Sequence, residues 1–580
     1  HQERVKNLID TDEDYKTAFE MYMQGLHKNI NPNISRQDAI EMLSQHMVTK
    51  PVFDALFGNS SFTDSNPISK SMKTLLDLVG ETAYEKDQKV MERFYKSVQE
   101  RCEGIDNAVA KQKIIIELYD KFFKKALSKT VEKLGIVYTP VEVVDFINRS
   151  VADILKKEFN RKISDENIHI IDPFTGTGTF ITRMIQSGLI DKEALERKYG
   201  KELHANELVL LAYYIASVNI ENAYHDVMGE KEGEFTPFEG ICLTDTFQLY
   251  EDDDKDIETL KFAEVFPNNS ERVIEQSKTP MQIIIGNPPY SAGQKSANDN
   301  AQNEHYPKLE KRITDTYAME SSAILKRFLY DSYIKAFRWA GDRLDATRGG
   351  IIGFVTNAGW LDAMAMDGLR KCFEKEFSSI YIFNLRGNAR TIGELRRKEK
   401  DNVFGQGSRA PIAITILVKK PKKKEEKAVI YYRQVDDYLT RTQKLEEVEK
   451  IKSVNNSRFT QKVLKPNEKG DWLNKRSELF EQYTVIGDKR NKEQEKAFFC
   501  NLYSNGLVTN RDAWCYDFGK ESLTKKIKIT IDFYNNELKK YNTAKKEGKE
   551  YILFTDPHKI SWTDGTKQNI KRNRVYEFNL

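Results

Sequence analysis

Residues 283–294, IIIGNPPYSAGQ, close an apolar run with groups suited to holding an aromatic amine. Consecutive prolines fix the backbone and remove two donors, so the carbonyl of Pro288 is left to accept from a ligand. With the side-chain oxygen of Asn287 it makes two acceptors aimed at one –NH2 group. Drawing both hydrogens to acceptors localises the nitrogen lone pair for attack on an electrophile, and Tyr290 offers a flat face on which a base can stack. That chemistry is methyl transfer to an exocyclic amine, with the sulfonium methyl of S-adenosylmethionine as electrophile. Positioning and electrostatics carry most of it, and it requires neither metal nor covalent nucleophile. A strand that merely ends in a proline turn is the alternative.

A second group of residues suits the cofactor. NIHIIDPFTGTGTFITRMIQ (167–186) reads as a buried strand ending at Asp172, a tight glycine turn, and a helix from about Thr179. Gly176 and Gly178 let a ligand approach the backbone closely, although such a turn can be purely structural. The third glycine of the dinucleotide fingerprint is missing, and no G-K-[ST] follows as in a P-loop. Glu207, in HANELVLLA, ends what reads as the next strand, where a carboxylate accepts from both ribose hydroxyls; a solvent-facing glutamate at a helix start is the other reading. Asp245, in GICLTDTFQ, ends a further short strand and either accepts from an adenine amine or caps a helix. Upstream, Tyr138 and Thr139 precede Pro140 and an amphipathic helix, with Thr139 placed to cap and Pro140 to be the first helical residue.

These motifs need a scaffold, and the rest of the chain supplies its pattern. Up to about residue 130 the period is helical, as in DEDYKTAFEMYMQGL, SRQDAIEMLSQHM and VMERFYKSVQERC, with Ser35 and Asp38 spaced as a capping box. Short apolar runs then alternate with helical stretches (IHIID, LVLLAYYIASVNIENA, MQIIIGN, LKRFLYDSYIKAFRWAGDRL, GGIIGFVTN, SIYIFNLRG, IAITILVKK), which implies a mostly parallel sheet with helices on both faces. From KKPKKKEEK (419–427) the chain turns polar and lysine-rich, and a domain boundary is expected there.

Composition sets the outer limits. With 580 residues, about three to four units are expected. No stretch reaches the roughly 18 apolar residues of a membrane span, so a cytoplasmic location is expected. The five cysteines form no C-x-x-C pair, which indicates neither a disulfide framework nor a cysteine zinc site. A net charge of +3 advertises no nucleic-acid partner globally, so local patches must carry any such contact. The start at His1 and the stop at RNRVYEFNL suggest a piece of a longer polypeptide.

YTP, DPFTGTGTF, NEL, TDTF and NPPY, in that order, resemble the adenine-N6 DNA methyltransferases of the gamma order over residues 130–420. The helical N-terminal segment and ARTIGELRRKEKDNVFGQGSRAPIAITILVKK (389–420) resemble, more narrowly, the type ISP restriction-modification enzymes. The resemblance implies a helical coupler at 1–130, a Rossmann-like α/β methyltransferase sheet at 131–420, and an incomplete α+β target-recognition domain at 421–580. It implies that Asp172, Phe174, Gly176 and Gly178 cradle the methionine part of S-adenosylmethionine. Glu207 would hold its ribose, Asp245 its adenine, and Tyr138, Thr139 and Pro140 its outer wall. Asn287, Pro288, Pro289 and Tyr290 would be catalytic, with no metal. The implied partners are double-stranded DNA, whose target adenine flips into the pocket, and an ATP-driven translocase and nuclease whose motifs this chain lacks. The loop 291–313 could close over the flipped base, and the lysines of TKKIKITIDFYNNELKKYNTAKK (524–546) either contact DNA or line a solvated helix face. Competing readings are methylation of cytosine-N4 or a protein glutamine, and a DNA-specificity module without catalysis.

Overall fold

The computed structural model describes residues 2–57, 66–77, 139–229, 236–251, 266–290, 305–405, 408–421 and 426–477, with shorter stretches elsewhere, chiefly 482–487, 515–548 and 562–577. It divides into two compact units. The first takes in residues 1–128, 135–290 and 305–474; the second takes in 475–580 with 129–134 and 291–304.

The first unit opens with helices Gln2–Thr11, Glu13–Asn29, Arg36–Phe57 and Pro67–Asp77. Asp12 caps the second by accepting from the amides of Asp14 and Tyr15. Ser35 and Asp38 form the box their spacing suggests: the Asp38 amide donates to Ser35 Oγ, and the Ser35 amide donates to the Asp38 carboxylate. Phe19, Tyr22, Leu26, Ile40 and Leu43 are buried in the same core as helix Leu210–Met228. Polar contacts stitch the two together, with His46 Nδ1 3.0 Å from the Tyr214 hydroxyl. Of VMERFYKSVQERC, all but two residues lie outside the described residues.

A nine-stranded sheet follows, in the order β3-β2-β1-β4-β5-β7-β6-β8-β9. Strands β1 (Ile170–Asp172), β2 (Leu203–Glu207), β3 (Ile241–Leu243), β4 (Ile283–Gly286) and β5 (Gly350–Asn357) run parallel. Strand β7 (Ile412–Lys419) lies antiparallel between β5 and β6 (Ser379–Arg386). The sheet has helices on both faces, which is why its strands read as continuous apolar runs. In β4 the side chains alternate: Ile283 and Ile285 pack with helices Val141–Phe159 and Leu210–Met228, and Ile284 packs with helices Ser332–Arg343 and Asp367–Glu376. Three successive isoleucines thus serve two cores. The chain winds one way from β1 to β2 and β3 and the other way to β4 and β5, so a crevice opens at the carboxyl ends of β1 and β4.

Two expectations are corrected. LKRFLYDSYIKAFRWAGDRL is not one helix: a 3-10 turn (Arg327–Tyr330) gives way at extended Asp331 to helix Ser332–Arg343. The boundary expected at 419–427 is not the end of the sheet. Strand β8 (Val429–Gln434) pairs parallel with β6, β9 (Lys462–Leu464) pairs with β8, and the unit continues to Asn474.

In the second unit, helix Lys520–Lys546 buries Tyr534, Glu537 and Leu538. A small core forms from Tyr534, Leu538, Ile560 and Ile570. Lys525, Lys526, Lys528, Lys539 and Lys540 stay at least partly in solvent. Free Cys242 and Cys372 are buried and Cys515 is exposed. Among the described residues no helix is long and apolar enough to cross a membrane, and no cluster of His, Cys, Asp or Glu could hold a metal ion.

Candidate active site

The glycine turn leaves β1 at Asp172 and enters helix Thr179–Gln186. Thr175 pins it, its hydroxyl donating to the Asp172 carbonyl (2.8 Å) and its amide to the Asn206 carbonyl of β2 (3.0 Å). Gly176 (φ +56°) and Gly178 (φ +82°) both take left-handed backbone, yet their surroundings differ. Among the described residues a Cβ on Gly176 would meet nothing within 4 Å, whereas one on Gly178 would stand 3.1 Å from the Ala216 Cα. The missing side chain of Gly178 therefore makes room for helix Leu210–Met228.

Three buried carboxylates gather at the strand ends. Asp172 Oδ1 accepts from the Phe174 amide (3.2 Å), while its buried Oδ2 has no hydrogen-bond partner among the described residues. Burial pushes this carboxyl up to about 8 against the pull of that amide, with the Glu207 charge adding to the rise. Glu207 accepts from the amides of Gly176 and Val209, each at 2.7 Å, and burial still lifts it to about 7. Glu207 thus ties the end of β2 to the glycine turn, instead of facing solvent at a helix start.

Asp245 is the most crowded of the three. Its Oδ1 accepts from the amides of Phe247 (2.9 Å) and Gln248 (3.3 Å), so of its two readings the capping one is present. Its Oδ2 accepts from Asn31 Nδ2 (2.7 Å) and the Tyr306 hydroxyl (2.8 Å). Burial raises this carboxyl while those donors restrain it. Asn31 comes from the turn between the second and third helices, and Tyr306 from just before helix Pro307–Ile313.

Strand β4 delivers the proline motif beside β1. A Cβ on Gly286 would lie 2.8 Å from Asp172 Oδ1, so glycine at this position lets the two motifs touch. Asn287 is then clamped from both sides. Its Nδ2 donates to Thr139 Oγ1 (3.0 Å) and its Oδ1 accepts from the Tyr290 hydroxyl (2.6 Å), which also lies 3.0 Å from the Val355 carbonyl. Burial holds the Tyr290 phenol well above its ordinary value, so it remains a donor.

Other site residues differ from expectation in position or role. Pro140 is the N-cap of helix Val141–Phe159, not its first residue, and the buried hydroxyl of Thr139 binds Asn287 instead of capping. Tyr290 is half-buried and meets Tyr333 and Phe404 edge to face, with centroids 6.4 Å away in each case. Phe174 packs against Phe247 at 5.4 Å. Pro288 is buried and Pro289 half-buried. Tyr138 and residues 291–304 lie outside the described residues. Sequence reasoning missed Asn31, Tyr306 and Phe404, which long-range packing brings in and no local pattern marks.

Comparison with known proteins identifies the class. Residues 201–389 match the Eco57I restriction-modification methylase family, residues 1–110 the coupler domain of type ISP restriction-modification enzymes, and residues 498–580 the type ISP C-terminal specificity domain. The mixed α/β sheet is that of a restriction-modification methylase, preceded by helices and followed by a specificity region. Among solved structures, the chain is 40% identical to a nuclease-deletion mutant of the type ISP enzyme LlaGI in complex with a DNA substrate mimic, over 100% of this chain and 46% of that one, with a TM-score of 0.80. It is 40% identical to the ATP-dependent type ISP enzyme LlaBIII bound to DNA, over 100% and 38%, with a TM-score of 0.83. It is 32% identical to DrdV in its DNA complex, over 100% and 55%, with a TM-score of 0.80. The chain therefore resembles type ISP enzymes along its whole length while spanning about half or less of theirs. No curated protein matches it.

Proposed function

We propose that this chain transfers a methyl group from S-adenosylmethionine to the N6 amine of an adenine flipped out of double-stranded DNA. It would serve as the modification and target-recognition part of a type ISP restriction-modification enzyme whose remainder is an ATP-dependent translocase and nuclease. The observation that carries the proposal is the joint made by Gly286 and Asp172, which sets Asn287 against the glycine turn at the switch point of the sheet. The DNA-bound states of LlaGI, LlaBIII and DrdV support DNA as the partner.

The residues present fit the cofactor. Asp172 Oδ2 is a buried, unpartnered carboxylate oxygen, which the α-ammonium of S-adenosylmethionine would satisfy. Glu207 keeps lone pairs for the ribose hydroxyls beyond the two it gives to backbone amides. At Asp245 all four lone-pair sites are in use, so an adenine amine there must displace Asn31, Tyr306 or an amide. When bound, the cofactor supplies a methyl group made electrophilic by its sulfonium.

The chain's own part is to orient the acceptor amine. Thr139 fixes the Asn287 amide with its oxygen toward Tyr290, where the phenol now occupies it. Entry of the base replaces that phenol as donor, and Asn287 Oδ1 and the Pro288 carbonyl then accept the two amine hydrogens. Tyr290, released from Asn287, turns to stack on the base, and the amine gives up a proton to solvent after transfer.

The test is to incubate the purified chain with S-adenosylmethionine and mixed-sequence duplex, then identify methylated nucleosides by mass spectrometry, with Asn287→Ala as control. N6-methyladenine that vanishes in the variant supports the proposal. Methylcytosine, or cofactor binding without DNA methylation, would replace the acceptor, and no cofactor binding would refute it.

A further inference from the structure

Strands β6 and β7 are antiparallel neighbours paired from Ser379 with Val418 to Arg386 with Ile412. Hairpins of this kind usually close in about two to five residues, yet here the connection runs from 387 to 411, 25 residues. Both β5 and β6 run antiparallel to β7, and β4 is parallel to β5, so the insertion leaves the sheet at the same carboxyl edge as Asn287. Long connections at such an edge are where binding residues concentrate.

Its described residues are firmly held. Glu399 accepts from Arg386 (3.2 Å) and the Asn388 amide (2.9 Å). Asn402 Nδ2 donates to the carbonyls of Gly387 (3.2 Å) and Ala410 (2.7 Å), tying both ends of the insertion together. Lys444 Nζ donates to the carbonyls of Glu399 (2.9 Å) and Asp401 (2.7 Å) from below. Phe404 anchors the insertion against Tyr290.

On this braced base, Ile392 is 86% exposed and Leu395 51% exposed. Ile392 is the extended N-cap of helix Gly393–Glu399 and Leu395 lies in its first turn, so both stand at the start of that helix. Around them the insertion carries Arg390, Arg396, Arg397, Lys398, Lys400 and Arg409 against Glu394, Glu399 and Asp401. The segment thus holds a charge of +3, as much as the whole chain. Two exposed apolar side chains on a segment with a cationic excess match a duplex groove, where phosphates lie outside and base steps within.

We infer that the 387–411 insertion is a DNA-distorting wedge: Ile392 and Leu395 press between base pairs beside the target while Arg390 and Arg397 hold the adjoining phosphates. The inference rests on the proposed DNA methylation and adds the element that frees the base. It assigns the cost of unstacking to this insertion and leaves Tyr290 to receive what is released.

The experiment uses the full chain and the Ile392→Ala/Leu395→Ala double variant. Duplexes carry 2-aminopurine at the position that sequencing of methylated product identifies. Wild type should raise 2-aminopurine fluorescence on binding. The variant should keep its hydrogen-exchange pattern outside 387–411 and its cofactor affinity, bind duplex within about three-fold, lose the fluorescence rise and methylate roughly ten-fold or more slowly. A mismatch opposite the target, which unpairs the base in advance, should restore most of the rate. Arg390→Gln/Arg397→Gln should instead weaken binding on all sequences and flatten its salt dependence. A double variant that flips and methylates like wild type, or one that a mismatch fails to rescue, overturns the wedge. A wild type that binds cofactor and DNA but methylates nothing removes the underlying function instead.

Discussion

Replacing Asn31 by Ala should loosen the N-terminal helices through a contact made 214 residues away in sequence. Asn31 and Asp245 are each 4% exposed, so no water stands ready to replace the 2.7 Å bond between them. The same substitution also strips the Asn33 amide of its acceptor, Asn31 Oδ1, at 2.8 Å. A buried hydrogen bond to a charged group contributes about 1.5–3 kcal/mol. Taking ~2 kcal/mol, and about ten-fold per 1.4 kcal/mol, opening of the second helix should become roughly thirty-fold more frequent. The assay is hydrogen exchange by mass spectrometry over Glu13–Asn29. It reads local opening, and a chain of two compact units has no single unfolding equilibrium. Tyr306→Phe removes the other donor to the same oxygen and should act on residues 305–313 instead. The double variant should cost less than the sum of the two, because Asp245, already raised by burial, takes up a proton once both donors are gone. Unchanged exchange over Glu13–Asn29 in Asn31→Ala, or strict additivity of the pair, would refute the reasoning.

Three further outcomes follow from the site. Thr139→Val leaves Asn287 Nδ2 without its 3.0 Å acceptor and should lower kcat about ten-fold while cofactor affinity stays unchanged, as titration would show. Tyr290→Phe removes the phenol donor to Asn287 Oδ1 and should hold methylation within about three-fold, whereas Tyr290→Ala forfeits ~1–3 kcal/mol of stacking and should cost ten-fold or more in single-turnover assays. Asp172, at about 8 when folded and near 3.8 otherwise, favours the folded state while protonated. Its contribution to stability therefore fades as pH rises from about 4 through about 8, and a cationic cofactor should expel its proton. Calorimetry of cofactor binding at pH 7 in buffers of differing ionisation enthalpy should register proton release, and Asp172→Asn should abolish it.

Much of the sheet could be read from the sequence because buried parallel strands are apolar on both faces, and runs such as those of β1, β4, β5 and β7 can hardly be anything else. Glycine and proline marked the two turns at its edge for the same local reason. Strand β8 was less legible: its burial alternates and a lysine run precedes it, so VIYYRQ looks like the start of something separate. The helical reading of 325–344 overlooked Asp331, whose extended backbone breaks the run. At the site, residue types were visible but partners were not. Nothing local in NINPNIS shows that Asn31 meets Asp245, and nothing in VYTP shows that the Thr139 hydroxyl is spent on Asn287 rather than on a helix end.

Those hidden partners alter how binding should work. Glu207 holds the glycine turn, Asp245 holds the helical segment and the residue that follows the 291–304 stretch, and Asn287 holds its own tyrosine. At Asp245 and Asn287, acceptors that on the proposed reading serve cofactor and base are therefore already paired, as burial demands, whereas Asp172 Oδ2 is not. Ligand binding at Asp245 and Asn287 becomes an exchange of donors and not the filling of an empty acceptor, with modest net affinity from each contact. What is gained is linkage: a donor displaced from Asp245 releases an anchor of the N-terminal helices, at Asn31, or of residues 305–313, at Tyr306. Cofactor occupancy is thereby coupled to the order of both, by an amount equal to the difference between the two hydrogen bonds.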